Sequence, residues 1–149
     1  MKILFALILL IICFFIVRFF FLGKKSQTMT PTVGLINGAL QGCGEKPNCV
    51  SSFANDKEKH IEALPISNPK NEFINKLKKI INDQKSAKLI SETTDYMHIE
   101  FQSTLFGFVD DVEFYFPQDK LFMRSASRVG TSDLGQNRKR LNLIIKLLN

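Results

Sequence analysis

Hydrophobic positions are unevenly spread along the chain. Fifteen consecutive apolar residues run from Ile3 to Val17, Arg18 interrupts them, Phe19 to Leu22 resume the run, and Lys24 and Lys25 close it. About twenty such residues in helical form cross a ~30 Å hydrocarbon core. Near a helix end, the long stem of Arg18 reaches the interface. A retained anchor over residues 1–25 is expected. A cleaved secretory signal is the rival, since "MK" before an apolar stretch suits one, yet no small-x-small cleavage site follows the Phe-rich end. Lys2 in front and Lys24 and Lys25 behind nearly balance, so topology is not decided by charge.

Beyond the anchor the pattern changes twice. "SQTMTPTVGLINGAL" (residues 26–40) has no sustained period and reads as a tether, and "QGCGEKPNCVSSFAND" reads as a loop. "SNPKNEFINKLKKIINDQ" predicts a helix opened by a polar cap with Pro69 in its first turn. Phe73, Ile74, Leu77, Ile80 and Ile81 share one face, with Lys76, Lys78 and Lys79 turned largely to water. The period then drops from 3.6 to 2. "AKLISETTD", "YMHIEFQST", "FVDDVEFYF" and "KLFMRSASR" predict four strands joined by short polar connections, hence an antiparallel meander. In "DLGQNRKRLNLIIKLLN", Leu141, Ile144, Ile145 and Leu148 return to helical spacing. The expected fold class is α+β: a transmembrane helix, then a two-layer domain over residues 41–149 in which two amphipathic helices pack a four-stranded sheet.

Alternation assigns the sheet's faces. Met97, Ile99 and Phe101 oppose His98, Glu100 and Gln102; Val112, Phe114 and Phe116 oppose Asp111, Glu113 and Tyr115; Arg124 and Arg128 share a side opposite Leu121 and Met123. With the arginines on the polar side, Asp111 and Glu113 fall within cross-strand reach of them. Downstream, Asp133 followed by Gln136 fits a capping box, and Gly130 and Gly135 permit geometries closed to other residues. A helix start flanked by Arg128, Arg138 and Arg140 is a natural seat for phosphate or carboxylate. Two readings follow for the charged cluster of Asp110, Asp111, Glu113, Arg124, Arg128, Asp133 and Arg138. Either the charges pair internally, or they accept an anionic small molecule or lipid headgroup.

Three cysteines are present. Cys13 sits in the anchor. Cys43 and Cys49 either close a small loop by a disulfide, which requires an oxidising compartment, or remain free thiols. Zinc and other metals are disfavoured, because His60 and His98 are the only histidines and C-x5-C is not a usual finger spacing. "LQGC" imitates a lipidation site but stands too far from the apolar run. The formal net charge of +6 suits acidic headgroups better than nucleic acid, for which no motif is present.

"NCVSS" (48–52), "FGFVDDVEFYF" (106–116) and "RSASRVGTSDLGQNRKR" (124–140) resemble the characteristic segments of the domain of unknown function 1499 family, found in bacteria and plant plastids. The resemblance runs from about Cys43 to the C-terminus and implies one domain; it brings no activity. The expected protein is thus single-pass in a bacterial inner membrane, contacts lipid through residues 3–22, and bears its domain on the periplasmic side. It acts as a binding or scaffold module without a cofactor. The alternative is a hydrolase using the polar-face carboxylates or a Cys49 nucleophile with His98.

Overall fold

A computed structural model describes residues 1–67 and 69–149. Helix α1 spans Lys2–Thr28. It is followed by a small ribbon of β1 (Leu35–Ile36) and β2 (Ala39–Leu40), then β3 (Cys49–Ser51), β4 (Leu64–Pro65) and α2 (Lys70–Asn82). Four strands come next, β5 (Ala87–Glu92), β6 (Tyr96–Gln102), β7 (Val109–Tyr115) and β8 (Lys120–Ser127), and α3 (Gln136–Leu148) closes the chain.

The four expected strands form the antiparallel meander, but the sheet has six strands, not four. Its order is β3-β8-β7-β6-β5, with β4 also pairing β8. β3 lies against Arg124–Ala126 and β4 against Lys120–Leu121. β3 belongs to the stretch expected to be a loop, and β4 to one for which the sequence pattern gave no element. At two or three residues each they are too short to display a period, and pairing with β8 alone makes them strands. β5 carries a register shift between Leu89 and Ser91, a bulge that bends this edge strand.

Helices α2 and α3 cover one face of the sheet. Phe73, Leu77 and Ile81 of α2 and Leu141, Ile144 and Leu148 of α3 are buried, as their spacing requires. They meet Met97, Ile99, Phe101, Val112, Phe114, Leu121 and Met123, the inward positions of three successive strands. Lys76 donates from its Nζ to the Leu148 carbonyl at 2.5 Å, tying the two helices together. Pro69 precedes α2 as its N-cap, with extended backbone, instead of lying in the first turn. The expected polar cap at Asn68 lies outside the described residues.

The opposite face is also covered. Residues 26–40, expected as a tether, continue α1 to Thr28 and then pass over the sheet, with Ser26 and Leu40 buried. Both faces of the central strands are therefore dry. Leu77→Ala, which empties a fully buried site, is expected to destabilise the domain by about 2–5 kcal/mol. Leu147→Ala, at an exposed position of α3, should change stability by no more than about 0.5 kcal/mol. Denaturant unfolding of the detergent-solubilised protein measures both.

Candidate functional site

The period-2 geometry of β6, β7 and β8 carries His98, Glu100, Asp111, Glu113 and Arg124 to the face beneath the end of α1. Glu113 stands directly across from Arg124, and His98 across from Glu113. Glu113 is fully buried, and its carboxylate accepts from Arg124 Nη1 at 2.8 Å, the Tyr96 hydroxyl at 2.9 Å and the Gly34 backbone N–H at 2.7 Å. Arg124 also donates to the Thr32 carbonyl. Asp111 receives Arg128 in a two-pronged pair, Nε to Oδ2 at 2.8 Å and Nη2 to Oδ1 at 2.7 Å, while His98 Nε2 lies 2.8 Å from Oδ1. Arg128 further engages Glu100 and the Ser26 carbonyl.

Each carboxylate on this face has a guanidinium within hydrogen-bond reach. Burial pushes the Asp111 carboxyl up, but the Arg128 and His98 hydrogen bonds overcome it and hold Asp111 below its ordinary value. The same Asp111 bond, opposed by burial and aided by Glu100, raises Arg128 further. Burial and the adjacent Glu113 charge push the Tyr96 phenol up, so it stays a neutral donor. Buried pairs of this kind repay much of their desolvation only when every partner is present.

The expected pairing of Arg124 and Arg128 with Asp111 and Glu113 is thus seen. The rest of the cluster goes elsewhere. Asp110, one residue from Asp111, points through to the other face and pairs with Arg140 Nη2 at 2.7 Å; the Arg140 guanidinium lies 4.7 Å from the Phe101 ring centre. Asp133 accepts the Gly135 N–H at 3.0 Å and the Asn137 N–H at 2.7 Å. The helix start therefore already holds a carboxylate of its own. The N-cap is Gly135, at φ 77°, instead of Asp133. Arg138 leaves that corner and donates to the Glu58 and His60 carbonyls.

Cys43 and Cys49 are joined by a disulfide, so the free Cys49 thiolate considered as a nucleophile beside His98 does not exist, and His98 serves Asp111 instead. Two participants gave no sequence signal. Asn137, fully buried, donates to the Asn48 carbonyl and Ser127 Oγ and accepts from Ser125 and Arg140, linking α3 to β3 and β8. Ser26 Oγ accepts the Val109 N–H at 2.8 Å and donates to the Val109 carbonyl. A serine just beyond an apolar run reads as linker until its distant partner is known.

Ser26 belongs to a docking surface at the end of α1. A Cβ at Gly23 would lie 1.8 Å from the Phe106 carbonyl oxygen, so only glycine admits this approach. Gln27 Nε2 donates to the Gly107 carbonyl. Beside this contact opens a cleft of about 570 Å³, walled by Phe19 and Leu22 of α1, by Phe106 and Phe108 of the β6–β7 loop, and by Val129 and Leu134 after β8. The Asp110–Arg140 pair, Ser127, Ser132 and Asp133 supply its polar side. Its size falls within the range of small-molecule sites.

Two consequences can be measured. A carboxyl held below its ordinary value of about 3.9 stabilises the fold fully above that pH, and the contribution is lost as pH falls through the folded-state value. The wild-type melting temperature is expected to drop as pH is lowered below about 4. Asp111→Asn, which leaves Arg128 short of its main partner, should start about 3–5 kcal/mol less stable at neutral pH and show a shallower fall in acid. Gly23→Ala should undock α1 from the β6–β7 loop, read as faster proteolysis between residues 28 and 42.

A family model described as "Protein of unknown function (DUF1499)" matches residues 39–148. No curated protein and no solved structure matches the chain. The matched stretch holds β3 through α3, with the paired carboxylates and arginines and the disulfide's Cys43 and Cys49; the chain belongs to the DUF1499 family.

Proposed function

We propose that the protein is a membrane-anchored binding module whose ligand is an amphipathic molecule taken into the cleft beside the exit of α1. The carrying observation is the cleft's wall, which joins Phe19 and Leu22 of the apolar run to Phe106 and Phe108 of the domain. A ligand chain entering there leaves hydrocarbon and meets more hydrocarbon, while its head faces an ion pair, hydroxyls and the Asp133 carboxylate. The guanidiniums of Arg124, Arg128, Arg138 and Arg140 all have protein partners. The site accordingly suits a head that donates hydrogen bonds, a hydroxyl or an amine, better than the anion expected from the arginine-rich segment.

A retained span supports this reading over a cleaved signal. α1 has 27 residues, a stretch of mean hydropathy 3.1, and no buried part within that stretch. At 1.5 Å per residue its first twenty-odd residues suffice for a bilayer, and the remaining turn is built into the domain through Gly23 and Ser26. Removing α1 would strip Val109 and Arg128 of partners. The disulfide supports a domain on an oxidising side of the membrane, the periplasm in a bacterium. The buried carboxylates, locked by arginine, support structure more than hydrolysis.

Carbonate extraction should leave the full-length chain in the membrane pellet; a soluble species beginning beyond Thr28 would overturn the anchor. Native mass spectrometry of the detergent-purified protein should find a retained amphiphile, lost in Ser132→Trp, which fills the cleft. Identical spectra for the two proteins would overturn the binding site.

A further inference from the structure

Two leucines flanking the cleft are almost bare: Leu105, at the apex of the β6–β7 loop, is 80% exposed, and Leu134, between β8 and α3, is 83% exposed. Single exposed leucines are ordinary on a protein surface. These two differ in position and in conformation. Leu134 sits at φ 54°, a left-handed geometry that glycine or asparagine adopts readily and leucine rarely does. The backbone thus presents a large apolar side chain to the outside from a strained position, and such strain points towards a role at the surface.

Their level along α1 is set by aromatic packing. The Phe106 and Phe108 rings lie 5.5 and 6.3 Å, centre to centre, from the Phe19 ring. Phe19 opens the last apolar turn before Lys24 and Lys25, about 4.5 Å below Leu22 on the helix axis. The β6–β7 loop is therefore packed against the span inside its apolar length, not above it, and Leu105 adjoins Phe106. Leu134 lies across a cleft that Phe19 and Leu22 also line. Together these side chains extend the apolar surface of α1 sideways onto the domain, with the exposed Lys24 and Lys25 next in line at headgroup height.

We propose that the β6–β7 and β8–α3 loops form a second membrane contact, in which Leu105 and Leu134 insert into the same bilayer that α1 crosses. This rests on α1 spanning the membrane. The partner is the lipid acyl region beneath the headgroups, because the patch is continuous with the span itself. Three attachment points fix the domain's tilt, hold the cleft mouth against lipid, and explain why an α1 locked by Gly23 to the β6–β7 loop and by Ser26 to β7 suits the molecule better than a loose linker.

The chain contains no tryptophan, so single introduced tryptophans report their own depth. The full-length protein is reconstituted in phosphatidylcholine vesicles containing brominated phosphatidylcholine, with Phe14→Trp, Leu105→Trp, Leu134→Trp and Leu147→Trp compared. Strong quenching at positions 14, 105 and 134, and little at 147, is the expected result. Quenching at 14 with none at 105 and 134 would overturn the second contact while leaving the anchor intact. No quenching at 14 would overturn the anchor reading and the second contact with it. Equal quenching at 147 would show the domain lying indiscriminately on lipid and would also overturn the proposal.

Discussion

The structure depends on keeping two carboxylates and two guanidiniums dry together. Asp111 and Glu113 on β7, with Arg128 and Arg124 beyond and on β8, occupy a sheet face that solvent barely reaches. An unpaired charge there would cost several kcal/mol, so each must find its counter-charge. That demand locks register. A one-residue slip of β7 against β8 would send Asp111 and Glu113 into the helix-packed core and bring Val112 and Phe114 out. The two faces thus enforce the same alignment, one by oil and the other by charge.

A pairing across two strands does not by itself exclude water; something must lie on top. That cover comes from the opposite end of the chain. The Ser26 carbonyl meets Arg128, the Thr32 carbonyl meets Arg124, and the Gly34 N–H meets Glu113. Residues 26–34 are thus the lid of the polar face as well as the link to α1. Whatever fixes α1 also fixes the charge network, and the domain is held to its helix by buried hydrogen bonds, not by a free linker. A domain held this way keeps its cleft at a constant height beside the helix.

The arginine-rich segment from Arg124 to Arg140 shows how tertiary contacts divide what proximity in sequence unites. Arg124 and Arg128 go to the face under α1, Arg140 to the opposite face, and Arg138 to the carbonyls of residues 58 and 60. The first two were legible, since alternation places them on the same face as Asp111 and Glu113. Asp110 was legible too, because neighbours along a strand point to opposite faces; grouping it with Asp111 followed from adjacency alone. Arg138 was not. A long side chain chooses among acceptors by what the fold brings near it, and its acceptors lie about eighty residues away.

By itself the sequence determined the elements whose signal is local: the apolar run of α1, the 3.6-residue faces of α2 and α3, and the period-2 alternation of β5 to β8 with the arginines beside the carboxylates. Backbone geometry imposes those periods on any chain that buries one face, so they can be read without the fold. Only the tertiary structure decided that β3 and β4 exist, that residues 26–40 roof the charged face, and that Leu105 and Leu134 flank the end of α1. Each of these depends on segments tens of residues apart meeting in space, and a pairing of two or three residues, or one serine reaching one distant amide, leaves no period in the sequence.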